Sequence, residues 1–269
     1  MANFTGCLLS KIDVRDYKIA CTSKESLPDE YEIKFLPDVK NQKAVSSCVA
    51  HSTASILECF ELLCGRKQKL STNFIYGIQK AECGFFGPGM YLRDACKIVC
   101  KYGDMLEADC PGNTEVPDCW ETANEALLDE KKKDKAAQFK IDTYFSCSSN
   151  DAIKKAILNY GPVLAAVQWY DSYKPDEQGV LDTAKVGEAT GHAFFIYGWT
   201  KQGFKCQNSW GTSWGTKGRF IVPYAIPIRE ARCFVDKPDD SIIIPKRSVL
   251  LDIFYKLFNF ILNIFNKNN

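Results

Sequence analysis

The chain has 269 residues, 46% of them hydrophobic and 13% aromatic, enough to bury one large core or two small ones. Its 34 basic and 33 acidic residues leave a net charge of +1, which gives no electrostatic footprint for a nucleic-acid partner. The opening MANFTGCLLSKIDVRDYK has no basic stretch leading into an apolar run. No signal peptide is therefore expected, and the 13 cysteines are expected to stay reduced. They contain no C-x-x-C pair, so neither zinc nor any other metal is expected.

Residues 1–27 read as a short polar N-terminal segment, and SLPDEYEIKFLPDVKNQ as an extended run broken by its prolines. From Ser47 the pattern changes: Val49, Ala50, Ala54, Ile56, Leu57, Phe60 and Leu63 recur at helical spacing, with Gly65 as a stop. Ser46 or Ser47 is the expected N-cap, which puts Cys48 in the first helical turn. STNFIYGIQKAE and YLRDACKIVCKYG read as two further helices, separated by the loop CGFFGPG. The polar stretch around residues 110–137 reads as loops, and its charge run Glu130-Lys131-Lys132-Lys133-Asp134-Lys135 as a solvated one. SSNDAIKKAILNYG reads as a capped helix ending at Gly161.

Beyond it, PVLAAVQWY, HAFFIYGW, GFKCQNSW and GRFIVPY are short apolar runs bounded by glycine, the signature of strands. A helical half followed by a mainly β half predicts an α+β fold in two lobes. In the tail SVLLDIFYKLFNFILNIFNKNN, Asp252, Lys256, Asn259 and Asn263 form one narrow polar stripe on a helix. Residues 249–265 are nearly long enough to span a membrane, but the polar interruptions oppose that. An interfacial helix, or packing onto the main domain or another chain, fits better, so the expectation leans towards a membrane surface or a protein partner.

A nucleophilic cysteine needs a lowered pKa, a base within reach and a group that orients the base. The first turn of a helix favours a thiolate at Cys48. Histidine is scarce: only His51 and His192 can supply an imidazole. His192 opens an apolar strand and is the better base, whereas His51, one turn beyond Cys48, reads as a hydrogen-bonded structural residue. Asn208 in CQNSWGTSWG can orient His192. Gln42, with the backbone N–H of Cys48, can form an oxyanion hole.

Three blocks in order, KNQ…SC.A, GHAFFIYGW and QNSWGTSWG, resemble the active-site blocks of papain-like cysteine peptidases. VRDYK, SSCVAHS and GRFIVPYAI resemble a short-headed subgroup found in bacteria, archaea and large DNA viruses. The resemblance implies a papain-like domain over residues 28–236, with a helical lobe at about 44–125 and a β-barrel-like lobe at about 138–236, followed by a tail at 237–269. It implies Cys48 as nucleophile, His192 as general base, Asn208 and Gln42 in the roles above, and Trp210 as a shield over the His–Asn hydrogen bond. Gly89 would pair with substrate backbone, while Tyr91, Leu92, Ala166 and Ala193 would line an apolar substrate pocket.

The substrate implied is a peptide or protein, with no cofactor. Lacking a signal peptide, the protein is expected in the cytoplasm or packaged in a virus particle, with peripheral membrane association through the tail. Departures from the family pattern are Val45 in place of a disulfide cysteine, Val49 after the nucleophile, Gly191 before the histidine, and no long inhibitory proregion. Val49, Gly191 and the apolar tail keep a second reading open: a catalytically weak or inactive papain-like scaffold used for binding or assembly.

Overall fold

A computed structural model describes residues 5–10, 26–112 and 118–236. The chain divides between Asp236 and Lys237, so the expectations for the tail lie outside the described residues, as does VRDYK. No described helix is long and apolar enough to cross a membrane.

The central element is helix α1, Cys48–Leu63, nearly all of which is buried. It packs against the helices α2 (Thr72–Cys83) and α3 (Leu92–Lys101) on one side, and on the other against strands β5 (Val163–Tyr170) and β6 (Ala189–Trp199). Ser47 occupies the N-cap position, but its hydroxyl makes no cap bond and instead meets Nδ1 of His51 at 3.2 Å. The helix stops where the pattern predicts, with Gly65 at φ +75° closing the last turn. Ser71 and Ser149 do cap, accepting from Phe74 N–H and Ala152 N–H at the starts of α2 and α6 (Asn150–Tyr160).

The stretch expected to be loops holds two helices, α4 (Asp118–Leu128) and α5 (Glu130–Ala136). The charge run is solvated but helical. Asp129 caps it by accepting from Lys131 and Lys132 N–H, Glu130 pairs with Lys133 one turn on, and Ala136 anchors it in the core. Charge pattern alone hides this, because Lys and Glu are also good helix formers.

Strands β4 (Thr143–Ser146), β7 (Gly203–Gln207), β8 (Arg219–Pro223) and β9 (Glu230–Val235) join β5 and β6 in the order β4-β9-β5-β6-β7-β8, all antiparallel. Strand β2 (Tyr31–Glu32) adds to β6, so part of the N-terminal arm belongs to the sheet rather than preceding the lobes. Among the described residues the sheet is open, with β4 and β8 at its ends, and not the closed barrel that "barrel-like" suggests. A second, two-stranded sheet pairs β1 (Cys7–Leu8) with β3 (Met90–Tyr91) in parallel.

Candidate active site

Gln42 reaches the site through a short ladder. Asn41 bridges Trp210, Gln42 N–H donates to Ser209 O at 2.8 Å, and Gly211 N–H donates to Lys40 O at 3.0 Å. Its side-chain amide donates to Val45 O at 2.7 Å while its oxygen accepts from the Ser209 hydroxyl at 2.6 Å. Cys48 follows at the start of α1, where its N–H has no acceptor within the helix.

His192 sits on β6 opposite Val167, fully buried. Its Nε2 lies 2.8 Å from Oδ1 of Asn208, the residue after β7. That Oδ1 also accepts the Ser209 N–H at 2.8 Å, which identifies it as the oxygen of the amide. His192 Nε2 must therefore carry the proton, and in the neutral ring Nδ1 holds the lone pair. Among the described residues Nδ1 has no hydrogen-bond partner. Trp210 stacks on the imidazole at 4.4 Å and Trp169 meets it edge-on at 5.0 Å.

Trp169 escaped the sequence reading. The signal was its place in PVLAAVQWY, two residues beyond the register partner of His192, on the same face of β5. His51 is buried, with Nδ1 3.0 Å from Ser47 O, and burial lowers its pKa to about 4.

Residues 5–10 run through the cleft across these groups. Gly6 N–H donates to Gly191 O at 3.1 Å and Gly6 O accepts from Met90 N–H at 2.9 Å, so one residue links β6 to β3. Ser10 N–H donates to Glu230 at 2.8 Å. Three glycines permit the close approach. A Cβ on Gly6 would lie 2.3 Å from Ser46 O, one on Gly191 1.9 Å from Cys7 O, and one on Gly89 2.8 Å from Gly6 O. Gly191 is thus a fitted position and not a loosened one.

Covered in this way, Cys48 is fully buried. Burial pushes its thiol up to about 11, against the backbone groups of Ala193 and Gly6 at the sulfur, which pull it down. The lowered pKa expected from the helix terminus does not hold in this state, because desolvation outweighs the first-turn field. Burial likewise takes His192 down to about 4, opposed by Asn208.

The remaining substrate-side residues separate. Tyr91 lines a groove of about 340 Å³ with Cys7, Leu8, Gln168, Thr190 and Arg229. Leu92, Ala166 and Ala193 are fully buried and do not line it, the two alanines facing each other across β5 and β6. Gly89 lies against the cleft segment, but its polar groups point elsewhere: its N–H donates to Tyr76 Oη at 3.1 Å and its carbonyl accepts from Lys80 at 2.7 Å. Met90 and Tyr91 pair with the cleft strand instead.

A cysteine at the start of a buried helix, a tautomer-fixed imidazole on the sheet packed against that helix, and the ladder that carries Gln42 to Ser209 make up the candidate site of this α+β fold. Residues 28–233 match the model of the papain family cysteine proteases, and the chain belongs to that family. It is 27% identical over 228 residues to a cathepsin B-like cysteine proteinase 3 of Caenorhabditis elegans, covering 74% of this chain and 60% of that one. A gut-specific cysteine proteinase of the same organism is 26% identical over 215 residues, covering 71% and 65%. The chain thus spans about two thirds or less of the length of these relatives. Xylellain, a cysteine protease from Xylella fastidiosa, shares the fold with a TM-score of 0.73 at 20% identity, covering 87% of this chain and 96% of that one.

Proposed function

We propose that the protein is a cysteine endopeptidase acting on extended peptide segments laid between β3 and β6. The observation that carries this reading is the doubly fixed Asn208 oxygen, which leaves the lone pair of His192 on Nδ1. Ala193, the next residue, has its backbone at the Cys48 sulfur, so the base-bearing strand and the thiol meet. His192 Nδ1 takes the thiol proton, and the sulfur attacks the peptide carbonyl. The oxyanion is held by Cys48 N–H and the Gln42 side-chain amide. The amine leaves with the proton from His192, giving a thioester. Water then attacks, losing its proton to His192, and the acid departs as the Cys48 thiol re-forms. Trp210 and Trp169 keep water from the Asn208–His192 hydrogen bond.

Hydrolysis in this scheme requires residues 5–10 to leave the groove, since they hold the backbone positions that a substrate would use. Low activity of the intact chain therefore would not by itself speak for a scaffold role. The test is labelling by a peptidyl epoxide of wild type, Gly6→Leu and Cys48→Ala proteins, with mass spectrometry locating the adduct. One adduct confined to Cys48, present in Gly6→Leu and absent from Cys48→Ala, is expected. A folded Gly6→Leu protein that takes no label would overturn the peptidase reading.

A further inference from the structure

Lys80 is fully buried, yet among the described residues no carboxylate pairs with it. Its ammonium donates to Gly87 O and Gly89 O, both at 2.7 Å, and lies over the rings of Tyr76 at 4.2 Å and Phe85 at 5.1 Å. Both carbonyls belong to the loop that leads into β3, the strand that pairs with the chain in the cleft. Ring contacts of Phe85 with Tyr91 and of Phe86 with Trp120 hold the side chains of that loop, but its backbone is fixed by few groups. Pro88 between the two carbonyls has no N–H, and three of the residues from 84 to 89 are glycine. Tyr76, one turn before Lys80 on α2, accepts the Gly89 N–H. Two side chains of one helix face therefore hold both polar groups of Gly89.

A buried cation without an acid partner is poor value for stability alone. Burial lowers its pKa to about 8, so the fold opposes the charge, although most of the population carries it at neutral pH. The titratable groups facing it are Tyr76 and Cys83 on α2 and Cys119 on α4. A methionine would fill the same volume at less cost, but it could not bind two carbonyls. What the lysine adds is orientation of the loop, and hence of the edge beyond it.

We infer that Lys80, with Tyr76, is a positioning residue for peptide binding: it pins Gly87 and Gly89 so that Met90 and Tyr91 present their backbone to a peptide main chain. This rests on the reading of the cleft as a peptide groove. Amide hydrogen exchange in the full chain reads the edge directly, since Met90 N–H bonds to Gly6 O. In Lys80→Met, exchange at Gly89 and Met90 is expected to quicken at least ~10-fold, the equivalent of one lost charge-assisted hydrogen bond, with amides of α1 unchanged.

In a Gly6→Leu background, where residues 5–10 no longer compete, the same change should raise KM for an extended fluorogenic peptide at nearly constant kcat. Alkylation of Cys48 by iodoacetamide should be unaffected. Tyr76→Phe should move exchange and KM the same way by a smaller factor, and it serves as the test if Lys80→Met does not fold. Wild-type exchange at Gly89 and Met90 in both variants would overturn the inference, as would a loss of protection spread evenly over the molecule. If the edge loosens but no protein in the set hydrolyses peptide, the positioning role stands and the peptidase reading fails.

Discussion

At the scale of single residues, the site is an imidazole whose tautomer, stacking and solvation are all set by neighbours. Asn208→Ala removes the acceptor that keeps the proton on Nε2, so the ring can rotate and present the wrong nitrogen. A lost hydrogen bond of about 1.5–3 kcal/mol predicts kcat/KM for a fluorogenic peptide down by about 10-fold to 100-fold, with the Cys48 adduct still forming slowly. Burial also makes the two histidines acid sensors of stability. Both have folded pKa values of about 4, below the ordinary value for histidine. Between roughly pH 6.5 and 4 the unfolded chain therefore binds protons that the folded one refuses, and stability falls as pH falls through that window. Tm should drop across it, and His51→Gln should flatten the drop while leaving the rest of the profile in place.

At the scale of elements, the feature that organises the cleft is the segment at residues 5–10, which carries β1. Its fit depends on the missing side chain at Gly6, since any Cβ there runs into the carbonyl of Ser46. Gly6→Leu should expel the segment, return Cys48 to solvent and bring its thiol down towards the ordinary range. Iodoacetamide should then alkylate Cys48 at least ~10-fold faster at pH 7 than in wild type, because each unit of lowered pKa gives tenfold more thiolate. Peptides matching residues 5–10, added in trans, should slow the reaction again. The helices around the cleft were readable in advance where a serine and a glycine bracket a periodic run, as for α1, α2 and α6. Helix α5 was not, because its residues suit a solvated loop as well as they suit a helix.

At the scale of the whole molecule, the N-terminal arm is tied to the central helix by an interior charge pair. Lys40 Nζ lies 2.7 Å from Glu58 on α1 and also donates to Leu70 O at 3.2 Å, while Glu58 accepts the Leu70 N–H at 2.8 Å. Lys40 leads into the ladder that carries Gln42, so this pair fixes the oxyanion side of the cleft against α1. Lys40→Ala leaves Glu58 buried without its cation and should cost about 3–5 kcal/mol, read as a lower urea midpoint at unchanged slope. Lys40→Ala with Glu58→Gln should recover part of that loss.

Local pattern was sufficient for much of this protein. Apolar period, caps and glycine stops placed α1, α2, α6 and the cores of β5 to β8, and the scarcity of histidine drew attention to His192. Those signals are written within a dozen residues and survive without the rest of the chain. Other features needed the tertiary structure, because their partners are far away in sequence. Strands β4 and β9 are stabilised by pairing across some ninety residues, between Thr143 and Val235. Gln42 reaches the site through the pairing of residues 40–42 with Ser209, Trp210 and Gly211, far along the chain. The titration of Cys48 and His192 is decided by what covers them, and the covering segment is held by main-chain bonds to Gly191 and Met90 and by Glu230, partners far away in sequence. The direction in which Gly89 turns was settled by Lys80, a residue whose charge in a helical run points to solvent until the loop folds over it.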